Sequence, residues 1–204
     1  MSSNRARTIG VAGYMGSGKS RAAAFLAREG GMVIDADAVA KEMMNADAGI
    51  RAELGRAFGP EVLARDAVAF DVLGRRAFRS LDDLLRLNTV VHPALVMNLR
   101  ARLAYAQSTT RVLDAALIPL WDIEDWFDIL CWVDAPFEIR CRRLLRSTSL
   151  PEREIRRRME LQQELLPPPN GARWIVVRNA GTPDELDESL GSLARAVSPE
   201  TFEP

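Results

Sequence analysis

Eight residues near the start of the chain, Gly13-Tyr14-Met15-Gly16-Ser17-Gly18-Lys19-Ser20, constrain the fold more than any other stretch. They follow a short apolar run, Thr8–Gly13, and lead into Lys19–Arg28, which has the composition of a helix. The pattern G-x-x-x-x-G-K-[ST] between a strand and a helix has a physical purpose. Glycines let the backbone curl until successive amide N–H groups face inward, where they attract anionic oxygen. The helix that follows adds the positive end of its dipole. The lysine can reach the outer phosphates of a nucleotide, and the final serine can offer its hydroxyl to magnesium. Gly13, Met15, Gly16, Ser17, Gly18, Lys19, Ser20 and Arg21 are the expected nucleotide contacts here, with ATP as the nucleotide and Mg²⁺ on Ser20.

Beyond this loop the chain alternates in kind. Strand-like segments recur at Met32–Asp35, Arg111–Ala115, Ile129–Asp134 and Trp174–Val177. From Ala36 to about Gln107 the pattern is helical, with interruptions predicted near Gly59-Pro60 and His92-Pro93. Another helix is expected after Ala135-Pro136, and helical sequence continues through an arginine-rich region to Leu166. The last helix carries its own start signal: Thr182 as cap, Pro183 in first place and Glu185 completing a capping box. Its Leu186, Leu190, Leu193 and Val197 share one face. Apolar strands separated by helices imply a parallel sheet covered on both sides. Right-handed crossovers then make the fold class α/β, a doubly wound parallel sheet of about five strands, with residues 1–204 as a single domain. Such sheets bind ligands beyond the carboxyl ends of their strands, which selects the loops after Val11, Ile34, Leu113 and Val133.

Composition removes several alternatives. The 27 basic and 28 acidic side chains leave a formal net charge of −1. That balance argues against a nucleic-acid partner, which needs a basic footprint over much of the surface. Lys19 and Lys41 are the only lysines. Cys131 and Cys141 are too few for a disulfide framework, fit no common zinc spacing and sit in apolar stretches, so both are expected in the core. The polar start, Met1 to Arg7, precedes an apolar run too short for a secretory signal. No run approaches the ~20 apolar residues of a membrane span. A cytoplasmic chain without a membrane partner, monomeric or a small homo-oligomer, is the expectation.

Asp35-Ala36-Asp37 closes the second strand on the side where the nucleotide should lie. An enzyme that phosphorylates a hydroxyl needs a carboxylate to orient it and take its proton, and often another to hold magnesium through water. Two aspartates one residue apart can divide those tasks, or one of them can cap the helix beginning near Ala38. Asp114, at the end of the third main strand, is either an acidic partner for magnesium, acting through water, or a turn former.

Together the residues resemble the dephospho-CoA kinases. VAGYMGSGKS followed by VIDADAVA is similar to the opening of that family of P-loop kinases. The likeness continues in His92-Pro93, LDAAL, VDAP at Val133–Pro136, Arg143-Leu144, Arg158-Met159, Gln162 and Asn179-Ala180-Gly181. The resemblance implies transfer of the γ-phosphoryl group of ATP to the ribose 3′-hydroxyl of dephospho-CoA. It implies Asp37 as the proton acceptor and Asp35 as its partner, with the reverse division left open. It further implies a helical substrate-binding region over residues 38–107, with His92 a substrate-side candidate, and a lid over residues 143–171. Asn179 joins the nucleotide contacts.

The chain also departs from the family pattern. Tyr14 stands where a second glycine is usual, which would narrow the site, and Arg21 stands in place of threonine. After the third main strand the usual proline-leucine-leucine-phenylalanine-glutamate reads Ala116-Leu117-Ile118-Pro119-Leu120, leaving Asp122 or Glu124 as acidic substitutes. The lid's usual arginine-aspartate falls on Ser147-Thr148, and the usual aspartate before Asn179 is Arg178. Eight arginines lie between Arg140 and Arg158. Most are expected at the surface, with Glu152–Arg156 and Glu154–Arg158 pairs. Arg143 and Arg146 are the candidates for closing on phosphate. These departures keep two other readings open: a P-loop kinase of another small acceptor such as a nucleoside or its monophosphate, and a nucleotide-binding regulator without turnover.

Overall fold

The computed structural model describes residues 6–28, 30–65 and 67–196. Val197 and the polar start at residues 1–5 lie outside them. The chain opens with β1 (Arg7–Ala12), α1 (Lys19–Leu26) and β2 (Met32–Asp35). A helical stretch follows, with α2 (Ala36–Ala46), α3 (Ala48–Phe58), a small hairpin of β3 (Leu63–Ala64) and β4 (Ala67–Val68), then α4 (Phe70–Ala77) and α5 (Leu81–Tyr105). Next come β5 (Thr110–Asp114), α6 (Ile118–Trp121), β6 (Ile129–Asp134), α7 (Phe137–Ser147) and α8 (Glu152–Leu165). The chain closes with β7 (Trp174–Arg178) and α9 (Pro183–Ala196).

Five strands form one parallel sheet in the order β2-β5-β1-β6-β7, the doubly wound α/β arrangement expected from the sequence. Side chains of a strand alternate between its two faces, and the core divides accordingly. Ile9, Val11, Val112, Ile129, Cys131 and Val133 pack with Ala22 and Ala23 of α1 and Leu186 and Leu190 of α9. Ala12, Leu113, Leu130 and Trp132 point the other way, into a larger cluster with Val39, Leu54, Leu95 and Leu99. Both cysteines are free and buried, and burial pushes the Cys131 thiol up to about 12. At the start of α9 the reciprocal capping bonds form, Glu185 N–H to Thr182 Oγ1 and Thr182 N–H to the Glu185 carboxylate, each 3.3 Å.

Two features of the helical stretch differ from the sequence expectation. The first is the hairpin at residues 63–68, too short to carry a strand pattern, with Arg65 at φ 51° in its turn. The second is Pro93, which does not interrupt α5: the helix is continuous over 25 residues. An internal proline costs about 3 kcal/mol. Leu84, Val91, Leu95, Leu99 and Leu103 of the same helix are all buried, each contributing about 1.5–3 kcal/mol. Their packing outweighs the lost hydrogen bond, and Pro93 itself faces outward.

Candidate active site

Strand register assembles the centre. Val11 of β1 lies opposite Asp114 of β5, and Asp114 opposite Asp35 of β2. The glycine-rich loop leaves β1 two residues later and ends at α1, whose first residue is Lys19. Lys19 Nζ lies 3.1 Å from Asp114 Oδ1, with side-chain exposures of 15% and 2%. The contact is a largely buried ion pair that ties the base of the loop to the end of β5. Burial disfavours the charge on Lys19, but Asp114, Asp37 and Asp35 outweigh it and the pKa is raised.

From Met15 to Arg21 the backbone amides divide into two sets. Those of Gly16, Gly18, Lys19, Ser20 and Arg21 have no acceptor among the described residues, so five donors are left for an anion at a helix N-terminus. The amides of Met15 and Ser17 are engaged within the protein, Met15 N–H on Gln162 Oε1 at 2.8 Å and Ser17 N–H on the Tyr14 carbonyl at 3.0 Å. Neither amide is left free for a nucleotide in this arrangement, unlike those of the first set. The close packing requires glycine. At Gly16 (φ 75°) a Cβ would lie 2.8 Å from the Arg140 carbonyl, and at Gly18 (φ 96°) it would strike the Asn179 amide. Arg21 offers only its backbone: its side chain pairs with Asp187 of α9 at 2.7 Å, out on the surface.

The two aspartates after β2 separate in role. Asp35 is the N-cap of α2, its Oδ1 accepting from Asp37 N–H at 2.9 Å and Ala38 N–H at 3.1 Å. The carboxylate of Asp37, in the first turn of α2, makes no hydrogen bond or ion pair with any described residue. Crowding by protein around a group that still opens to the cleft raises its pKa. Lys19 opposes that rise, while Asp35 and Asp114 add to it. A carboxylate with free lone pairs and an elevated pKa suits proton acceptance better than one spent on a cap.

The arginines fall mostly where surface chemistry puts them. Arg156 pairs with Glu152 and Glu138, and Arg158 with Glu154. Arg143, a candidate for phosphate, is here engaged with the loop itself. Its guanidinium lies behind the loop, at 3.4 Å from the carbonyls of Gly16, Ser17 and Gly181 and 3.1 Å from Asn179 Oδ1. Asn179 is buried and donates to the Ser17 carbonyl at 2.7 Å, so it braces the loop from outside. Arg146 is exposed near the end of α7 and has no ion-pair partner among the described residues.

This arrangement agrees with the comparisons to known proteins. The family model for dephospho-CoA kinase matches residues 7–184. A dephospho-CoA kinase of Thermobifida fusca is 33% identical over 187 residues, 91% of this chain and 93% of the relative. The chain belongs to the dephospho-CoA kinase family. A dephospho-CoA kinase of Corynebacterium glutamicum is 31% identical, covering 93% of this chain and 98% of its own length. A crystal structure of a Thermus thermophilus protein superposes with a TM-score of 0.69 at 28% identity, covering 95% of this chain and 99% of that one.

Against the usual pattern of dephospho-CoA kinases, Tyr14 does not narrow the site. It is 4% exposed and turns into the core, edge-on to Trp132 at 5.1 Å, with its hydroxyl donating to the Leu166 carbonyl at 2.8 Å. Asp122 is an exposed C-cap in the left-handed region (φ 54°), and Glu124 opens a short turn of 3₁₀ helix. His92 lies mid-helix in α5 rather than at a helix start, edge-on to Trp121 at 5.4 Å. Burial lowers its pKa to about 4, so the ring is neutral near pH 7.

Sequence reasoning missed Arg140. It is 1% exposed, with Nε on the Ala135 carbonyl at 3.0 Å and its guanidinium 4.8 Å from the Tyr14 ring centre. The available signal was spacing: Phe137, Arg140, Cys141 and Leu144 share one helical face, so an arginine sits in an apolar stripe.

Proposed function

We propose that the chain transfers the γ-phosphoryl group of ATP to the 3′-hydroxyl of the ribose of dephospho-CoA, giving coenzyme A and ADP. The observation that carries this reading is the free Asp37 carboxylate, in the first turn of α2 just past β2 and within the electrostatic reach of Lys19, the lysine of the glycine-rich loop. The acceptor oxygen attacks the γ-phosphorus, the bridging oxygen leaves with ADP, and Asp37 takes the acceptor's proton. Asp35 fixes the first turn of α2 and thereby the direction of Asp37. Lys19 neutralises charge on the outer phosphates, and the five free amides hold them.

The donor set fits magnesium, a hard cation that takes oxygen ligands: Ser20 offers an exposed hydroxyl at the start of α1, and Asp114 a carboxylate at the end of β5 beside Lys19. Ser20 would ligand the ion directly and Asp114 through water, and the bound ion neutralises phosphate charge. Residues 38–107 grip the CoA-type acceptor, with His92 on the substrate side. Residues 143–171 form a lid over ATP, with Arg146 as the arginine free to reach phosphate. From the family's metabolic role we place the enzyme in the cytoplasm, as a monomer or a small homo-oligomer; no helix among the described residues is long and apolar enough to cross a membrane.

ADP release measured with dephospho-CoA, and in parallel with a panel of nucleosides and nucleoside monophosphates, tests the assignment. Turnover should be confined to dephospho-CoA. Preference for a nucleoside would transfer the same machinery to another acceptor, and ATP binding with no turnover on any acceptor would end the enzymatic reading.

A further inference from the structure

In a peptide loop that binds anions with its N–H groups, the carbonyls must point elsewhere, and each needs its own donor. Here every carbonyl from residue 14 to 17 has one. Tyr14 O accepts from Ser17 N–H, and Met15 O lies 3.5 Å from Arg140 Nη1. Gly16 O faces Arg143, and Ser17 O takes Asn179 and Arg143. The single outward amide among residues 15–16, that of Met15, is taken by Gln162 of α8. The peptide plane between Tyr14 and Met15 is thus pinned at both ends, and the next is held at its oxygen. The Tyr14 side chain adds a third tie, since its hydroxyl reaches Leu166, the C-cap of α8, while its ring lies against Arg140.

We propose that Tyr14, Arg140 and Gln162 form a bracket that sets the curvature of the phosphate loop from behind, and so are positioning residues for nucleotide affinity. None of the three touches the nucleotide in this reading. They act through the orientation of the Gly16 amide and of the turn that follows it. Arg140 contributes a second effect. It has no carboxylate within ion-pair distance among the described residues, and Asp134 is felt only through space. A buried guanidinium keeps its proton, so a fixed positive charge stands behind the loop and adds to the pull on phosphate. The bracket also ties the end of α8 to the loop, so the two must move as one body. The proposal deepens the assignment above and rests on ATP as the nucleotide, but not on the identity of the acceptor.

The test compares Gln162→Leu, Tyr14→Phe and Arg140→Met with the parent chain. Calorimetry gives the dissociation constants of ATP and ADP, steady-state kinetics gives KM for each substrate, and thermal unfolding is recorded for each variant. Gln162 is only partly buried, and its replacement leaves the core intact. Gln162→Leu should weaken ATP and ADP about three- to tenfold, the range expected for one lost neutral hydrogen bond. KM for ATP should rise alongside while KM for dephospho-CoA stays put. Tyr14→Phe should shift the same constants in the same direction, and Arg140→Met should shift them most. Arg140→Lys, which keeps the charge, should recover part of that loss. Nucleotide constants within twofold of the parent in Gln162→Leu and Tyr14→Phe would overturn the bracket, as would equal rises in both KM values. Should Arg140→Met fail to fold, Gln162→Leu decides alone. A parent chain that binds ATP but leaves dephospho-CoA unphosphorylated removes the proposed reaction, while the nucleotide constants still judge the bracket.

Discussion

The two halves of the site are built differently. On the phosphate side, the loop at residues 13–20 is wired into the protein: its outward carbonyls reach α7 and the turn after β7, and its Met15 amide reaches α8. On the acceptor side, Asp37 stands at the first turn of α2 with its carboxylate uncommitted, and Asp35 bonds only to its own helix start. The difference follows from what each half has to do. Phosphate recognition depends on peptide dipoles already aimed at the anion, and preset dipoles need no reorganisation when charge develops. A general base must keep lone pairs free for the incoming hydroxyl, so structural bonds would spoil it.

Four measurements can break or sharpen that contrast. The largest effect belongs to the acceptor side: Asp37→Asn should lower kcat by up to ~10⁴-fold, while calorimetry finds the ATP dissociation constant unchanged. Unchanged turnover would remove Asp37 from the chemistry. Because the pKa of Asp37 is raised above 3.8, and the base must be ionised, activity should fall as pH drops through that raised value. The acid limb of kcat/KM should therefore lie above the ordinary aspartate range and be missing from the residual activity of the variant.

Lys19→Ala comes next, with kcat down ~10³-fold and, unlike the first variant, ATP affinity down as well. Intact ATP binding in Lys19→Ala would mean that the amides alone hold the phosphates. Third is stability against acid. The unfolded His92 ring takes a proton below pH 6.5, whereas the folded ring resists until about pH 4. Folding stability should therefore fall as pH drops across that window, by roughly 2 kcal/mol once partial exposure of the ring is allowed for. Urea unfolding at pH 7 and pH 4.5 measures it, and His92→Phe should flatten the dependence. The smallest effect is at Arg21→Ala, a barely measurable change in stability for a solvent-exposed pair, with ATP binding intact. A large loss of ATP affinity there would mean that the side chain leaves Asp187 for phosphate.

The sheet and the loop were legible in the sequence because they depend on local pattern. Apolar strands, a glycine-rich turn with its lysine and serine, and the Thr182–Glu185 cap all declare themselves within a few neighbouring residues. What stayed hidden depends on distance along the chain. Nothing near Gln162 says that it holds Met15, 147 positions away. Tyr14 in a position usually glycine suggests obstruction until Trp132 and Leu166 are seen to receive it. The mid-helix place of Pro93 was concealed for the same reason, since propensity forbids it and only the buried stripe of α5 permits it. Arg143 illustrates a third kind of gap. Charge suggests phosphate, but the geometry gives its guanidinium to backbone oxygens.

The supports behind the octapeptide also govern when a newly made chain becomes competent. Ser17 waits for Asn179, 162 residues downstream, and Met15 for Gln162. Until β5 and β6 are made, β1 lacks both of its strand partners, and the ring of donors around the anion has no outer frame. The loop at the start of the chain is therefore framed by residues from its last third, and is complete only once β7 and the turn after it are in place.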